Sequence, residues 1–199
     1  MPVFKCLFAH VCLLIEEKSV MIKQSLDILL ERRRFHVSQI RRQRRMFCYL
    51  QKQTSEANAI FTEICFLWIS KSVLRCYFSA YDLLTEPWTE NNWSYKCIVL
   101  LDAVFHISSL LIVSFYAGRV SEIKTTILDS LIRLGMVNHS QMEGEDYVED
   151  INFFINIVGN SDMSMKLWNI MPLKRSIAIN LLSVIGSYSV IIFQLSHRE

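Results

Sequence analysis

Residues 176–197 read SIAINLLSVIGSYSVIIFQLSH, twenty-two consecutive positions without Asp, Glu, Lys or Arg, bounded by Arg175 and Arg198. A helix needs about 20 mainly apolar residues to cross roughly 30 Å of hydrocarbon, so this stretch predicts a C-terminal transmembrane helix over 175–195. Its main polar residues, Ser187, Tyr188 and Gln194, cost free energy unless they face protein or water. On a helix of 3.6 residues per turn, Val184, Ser187, Tyr188, Ile191, Gln194 and Leu195 fall on one face, with Ile185, Val190, Ile192 and Phe193 opposite. Two uses of such a face stay open. The polar groups can hydrogen-bond neighbouring helices as packing glue. Alternatively, several copies around an axis form a pore with an apolar ring at Ile191 and an amide ring at Gln194, gated by dewetting and selective through dipoles.

The rest of the chain fits a membrane setting. Of 199 residues, 52% are hydrophobic and the mean hydropathy is +0.27, more than a soluble domain of this size needs. Five glycines and three prolines are too few for the tight turns of an all-β fold. The expected fold class is therefore an all-α membrane protein of long helices with transmembrane and cytoplasmic parts. The net charge of +2 is small, but Arg32, Arg33, Arg34, Arg41, Arg42, Arg44 and Arg45 crowd into one short stretch. That block signals topology or an anionic partner.

Walking outward from the tail, the chain divides into five segments. Residues 1–33 read as the inner end of a truncated span, Val3 to Ile15, continuing as a cytoplasmic helix; no small-residue cleavage site follows. On this reading Met1 is a fragment or gene-model start. Residues 37–84 form a helix with a transmembrane part, in which Glu63, Lys71 and Arg75 are expected to face a bundle interior or an aqueous cavity. Residues 93–135 form a span with a cytoplasmic extension through Ile123, Ile127, Leu128, Leu131 and Leu134. Residues 142–170 form a cytoplasmic amphipathic helix opened by Glu143, Glu145, Asp146, Glu149 and Asp150, negative charge that suits a helix N-terminus, with Asn160 to Pro172 reading as a mixed link to the last span. Its apolar stripe runs through Ile151, Phe154, Ile155 and Val158.

Charge gives the orientation. The arginine block lies at one end of the 37–84 helix and only Glu86 and Glu90 at the other, so the positive-inside rule places the block in the cytoplasm. Alternation then leaves the C-terminus extracellular in a multi-pass plasma-membrane protein. The sequon Asn92-Trp-Ser94 falls outside and is a possible glycosylation site; Asn138-His-Ser140 falls inside.

Catalysis finds little support. The six cysteines show neither C-x-x-C pairs nor histidine partners at zinc spacing and read as buried thiols. No nucleophile and base recur at a useful spacing and no glycine-rich phosphate loop exists, so no catalytic residue, metal or cofactor is expected. Asp102 and His106 are either a structural hydrogen-bonded pair or the polar lining of a ligand vestibule. The arginine block could bind nucleic acid or anionic lipid, but a solvated turn that sets topology is the preferred reading, without nucleic acid. A tail-anchored helical interaction protein with a single C-terminal span is the alternative to a multi-pass protein.

Ser187-Tyr-Ser-Val-Ile-Ile-Phe-Gln-Leu195 resembles the C-terminal signature of insect gustatory receptors: Thr-Tyr, five hydrophobic residues, then Gln-Phe. Tyr188 and Gln194 match at the right spacing, Ser187 replaces Thr conservatively, and Leu195 departs from Phe. The resemblance covers the C-terminal portion of that insect chemoreceptor family, which includes the odorant receptors. It implies a ligand-gated, non-selective cation channel for taste, built as a homo- or hetero-tetramer of chemoreceptor subunits around the final helix. It further implies that residues 3–33 correspond to the inner part of a fourth helix, 37–84 to the fifth, 93–135 to the sixth and 142–195 to a split seventh. Ile191 would then lie near a hydrophobic gate and Gln194 near its outer end. The implied partners are a small-molecule tastant and membrane lipid.

Overall fold

The computed structural model describes residues 2–32, 36–85, 93–138, 145–168 and 171–196. Its elements are α1 (Pro2–Arg32), α2 (Val37–Thr85), α3 (Trp93–Asn138), α4 (Glu145–Asn160), a hairpin of β1 (Lys166–Leu167) and β2 (Met171–Pro172), and α5 (Arg175–Ser196). The local cause of the long helices is plain: neither glycine nor proline occurs between Val3 and Glu86, so nothing in that stretch breaks a helix by itself. The restart at α2 is capped. Gln39 reaches back to accept the His36 backbone N–H at 3.3 Å, while the Gln39 N–H donates to the His36 carbonyl at 2.8 Å, the reciprocal bonding of a helix N-terminus.

At 1.5 Å per residue, α2 with 49 residues and α3 with 46 each run about 70 Å, over twice the thickness of a hydrocarbon core. Both contain stretches long and apolar enough to cross a membrane, in Val37–Leu84 and Trp93–Met136, whereas Ser176–Ile191 of α5 is a shorter apolar run. Only 33% of the α2 window and 28% of the α3 window is buried. An apolar helix that leaves most of itself uncovered is unlike the core helix of a soluble protein.

Contacts along the chain fix the directions. Lys5 meets Ser109, Glu16 meets Arg119 and Asp27 meets Ser130, so α1 runs parallel to α3. Ser72 meets His106 and Asp82 meets Tyr95, so α2 runs antiparallel to α3. One end of the bundle is a four-helix layer in which α4 lays Ile151, Phe154 and Val158 against α2 and α3, with Phe154 edge-on to Phe47 at 5.9 Å. The other end holds the C-terminal half of α2, the N-terminal half of α3, the start of α1, and α5. There Lys96 is fully buried and donates to the Asp82 and Leu83 carbonyls at 3.0 and 3.3 Å, a cation on the C-terminal carbonyls of α2.

Three expectations need correction. The helix expected over 142–170 occupies Glu145–Asn160, and a link with the short hairpin follows. Side chains of α2 hold that link in place of helical bonds: Asn58 Oδ1 accepts the Lys166 N–H at 2.7 Å and Thr62 donates to the Lys166 carbonyl at 2.9 Å. Second, of the two surroundings expected for Glu63, Lys71 and Arg75, the interior of this chain's bundle is not the one they take, and an aqueous cavity stays open. They are exposed among Leu67, Leu74 and Phe78, because Phe61, Cys65, Trp68, Ser72 and Cys76 take up the inward face of α2. Third, of the six cysteines Cys12, Cys65 and Cys76 are buried and Cys97 half-buried, while Cys6 and Cys48 are exposed.

Candidate functional site

Five polar residues of α5 form one stripe on the face turned away from the described residues of α2 and α3. The helix follows the hairpin, whose end is tied by the Leu173 N–H to the Met165 carbonyl at 2.6 Å. It then docks on α2 and α3 through Ala178, which is buried, and through Leu181, Leu182, Ile185 and Ser189, which are half-buried. These positions recur at three and four residues, a single stripe. At about 100° per residue, Ser187 stands diametrically opposite Ala178. Ser176, Asn180, Ser183 and Gln194 fall within an arc of about 60° containing Ser187, and all five are exposed. Val184, Tyr188 and Ile191 flank the arc and are exposed as well.

Hydrogen bonding separates these residues. Ser187 donates to the Ser183 carbonyl at 2.9 Å and Ser189 to the Ile185 carbonyl at 2.8 Å, so both hydroxyls are satisfied by their own helix in any surroundings. The amides of Asn180 and Gln194 and the hydroxyl of Tyr188 have no hydrogen-bond partner among the described residues. An amide has two donors and an acceptor that a helix backbone cannot satisfy, so Asn180 and Gln194 are the groups that demand water or another chain. Asn180, Ser187 and Gln194 follow at intervals of seven residues, a spacing that keeps one seam along a supercoiled helix pair.

Of the residues singled out in the sequence, Val184, Ser187, Tyr188, Ile191 and Gln194 lie together on this face. Leu195 belongs to α5, but its side chain lies outside the described residues, as does Asn92 entirely. Asn180 and Ser183 were missed, although the heptad relation of Asn180 to Ser187 was a signal that could have found them. Asp102 and His106 do meet, at 3.7 Å, and the His106 Nδ1 lies 3.3 Å from the Ser72 hydroxyl. Sequence reading gave no hint of Lys5, whose ammonium lies 2.5 Å from the Ser109 hydroxyl and over the rings of Trp68 and Phe105.

The arginine block is more than a solvated turn. Arg41 and Arg44 both bind Asp150 in the first turns of α4, at 2.8 and 3.1 Å, and Arg44 also lies over the Phe153 ring. Hydrogen bonding from Arg41 holds the Asp150 carboxyl below the usual carboxylate range, and the charges of both arginines add to the effect. The clamp fixes α4 on α2, and the link from α4 leads directly into α5. Between them, Asp162 is held down to about 2, first by Lys166 and then by Ser164.

No protein-family model matches the chain, and no curated protein matches it either.

Proposed function

We propose that the protein is a gustatory-receptor-like chemosensory subunit of a ligand-gated, non-selective cation channel, in which several copies of α5 surround the conduction path. The observation that carries this reading is the orientation of the α5 stripe. Polar residues on a membrane helix are stable only against protein or water, and those of α5 point away from the surface that the described residues of α2 and α3 offer. A second copy, and a third and fourth, would turn Asn180, Ser187 and Gln194 into stacked polar rings around an axis, with Ile191 between the last two as an apolar constriction. The four-helix layer at the basic end, pinned by Asp150 to Arg41 and Arg44, would hold the copies in register in the cytoplasm of a plasma-membrane protein with an extracellular C-terminus. A tetramer of like or related subunits and a small-molecule tastant complete the reading.

The test is reconstitution in liposomes with a cation-flux assay. Replacing Gln194 or Ile191 should change ion selectivity or basal leak. Unchanged permeation with both replaced would sink the pore role. The tail-anchored reading has to leave the largely uncovered apolar windows of α2 and α3 in water, and a glycan found at Asn92 would exclude it.

A further inference from the structure

We propose that the groove between α3 and α5 is a binding site for an anionic phospholipid, with an acyl chain in the groove and the headgroup against Lys174. The inference rests on the membrane reading above. The groove has a volume of about 430 Å³ and is lined by Leu111, Ile112 and Phe115 from α3 and by Ala178 and Ile179 from α5. Every lining residue is apolar. That chemistry matches a hydrocarbon tail and gives a polar segment of another chain no partner. The amide-bearing stripe of α5, by contrast, lies beyond this groove and is left for other subunits.

One end of the groove is cationic. The link before α5 is held by Asn58, Thr62 and Phe66 of α2, and because α2 runs antiparallel to α3 that level corresponds to the Phe115–Arg119 turn of α3, so α5 enters the groove from the Arg119 end with Lys174 one turn before Ala178. Lys174 is exposed, and while its carbonyl accepts the Ile177 N–H, its ammonium has no hydrogen bond or ion pair to a described residue. Arg119 keeps its guanidinium 5.7 Å from the Phe115 ring centroid but is bound to Glu16, so the uncompensated positive charge at this end is that of Lys174. Trp168 belongs to the same end. It is exposed on the hairpin, held edge-on to Phe66 at 4.8 Å, and adopts a left-handed φ of 46°, a conformation that a bulky residue takes only when its surroundings impose it. Tryptophan with lysine and arginine at the edge of an apolar layer marks the headgroup region of a bilayer. An apolar groove leading to a lone lysine at that level fits the tail and phosphate of one lipid molecule. Such a lipid would lie between α3 and the helix proposed to line the pore, where its presence would regulate how α5 docks.

The experiment is quantitative mass spectrometry of phospholipid retained by the full chain after purification in mild detergent, with thermal unfolding measured on adding phosphatidylglycerol or phosphatidylcholine. The expected result is that phosphatidylglycerol is retained at least threefold over phosphatidylcholine and alone raises Tm. Lys174→Glu should remove that preference. Ile179→Trp, at a position 63% exposed, should fill the groove and cut retention of both lipids at least threefold. Ile112→Trp repeats the test from α3 should the α5 variant lose its helical circular dichroism. Equal retention of the two lipids by the wild-type chain, or retention unaffected by both tryptophan variants, overturns the proposal. A wild-type chain that conducts without retaining lipid sinks this inference alone. One that retains lipid without conducting sinks the channel reading alone.

Discussion

Helices α4 and α5 are neighbours in sequence, joined by a hairpin link, and both dock on α2 and α3, yet they dock in opposite ways. In α4 the apolar stripe is covered: Ile151, Phe154 and Val158 are buried and the carboxylate of Asp150 is closed between two arginines. In α5 Ala178 alone is buried among the described side chains, and the amides of Asn180 and Gln194 and the hydroxyl of Ser187 lie on the uncovered side. The ordinary rule of a water-soluble amphipathic helix, apolar side in and polar side out to water, describes α4. It cannot describe α5, because the flanks of its polar stripe are also apolar and exposed at Val184, Val190 and Ile191. The difference teaches that α4 is completed by described residues of its own chain, whereas α5 leaves an apolar flank and a polar stripe that they do not cover; under the proposed function lipid covers the flanks, and protein or water the stripe.

The comparison breaks most sharply on core truncation. Phe154→Ala should cost about 3–5 kcal/mol, the usual loss for a fully buried aromatic, whereas Ile191→Ala, at a position 50% exposed, should change the stability of a dispersed single chain by no more than about 0.5 kcal/mol. Denaturant midpoints in detergent micelles measure both. Similar losses at the two positions would show that α5 is packed as tightly as α4.

A smaller effect is expected at the clamp. Asp150→Asn removes the charge while keeping the shape, and with the carboxylate only 11% exposed and Arg41 largely in solvent, a loss of about 2 kcal/mol follows from the charge-assisted bonds given up. Adding Arg44→Ala to this variant should cost little more, since the pair acts as a unit. Additive losses in the double-mutant cycle would refute the clamp.

Acid should loosen the two helices unequally. The carboxyls of Asp150 and Asp162 are depressed on folding, Asp162 to about 2 from an ordinary 3.8. A depressed carboxyl stabilises the fold above its unfolded value, and that stabilisation is lost as pH falls through the folded value. The attachment of α4 and the link should therefore weaken from about pH 4 toward pH 2. Between Ser176 and Gln194 the only titratable side chain is Tyr188, so α5 itself should not respond in that range. Fluorescence of a variant keeping Trp168 as its sole tryptophan reports on the link, and a flat profile from pH 5 to pH 2 would count against this assignment.

The smallest effect sharpens the idea that α5 is completed by other chains. Asn180→Leu and Gln194→Leu remove amides that have no hydrogen-bond partner among the described residues, so they should leave a single chain unharmed. In an assembly each should cost about 0.5–1 kcal/mol per contact, the scale of interhelical hydrogen bonds in membranes. Native mass spectrometry of the oligomer distribution gives the readout, and unaltered assembly in the double variant would mean that the stripe faces water or lipid.

Much of the fold was legible in the sequence because helix formation here is a local matter. The glycine- and proline-free run from Val3 to Glu86, the polar break around residues 85–94 and the uncharged run from Ser176 to His197 mark the long elements by composition alone. The common face of Val184, Ser187, Tyr188, Ile191 and Gln194 was legible for the same reason, since helical phase is arithmetic. The mixed link beginning at Asn160 was legible, but what holds it was not, since that depends on Asn58 and Thr62 of a distant helix taking over backbone bonds. The outward placing of Lys71 and Arg75 was illegible too, because a helix apolar on nearly every side gives no preference for one inward face.

The sequence by itself determined where this chain is helical and which residues of its last helix travel together. Periodicity, breakers and the length of an uncharged run act over a few turns and need no partner. Only the tertiary structure decided which way that shared face points, toward the bundle or away from it. It likewise brought Arg41 to Asp150 and Lys5 to Ser109, pairs more than a hundred residues apart. Such choices follow from which surfaces compete for burial, and packing Ala178, Leu181, Leu182 and Ile185 against α2 and α3 turned Asn180, Ser187 and Gln194 outward.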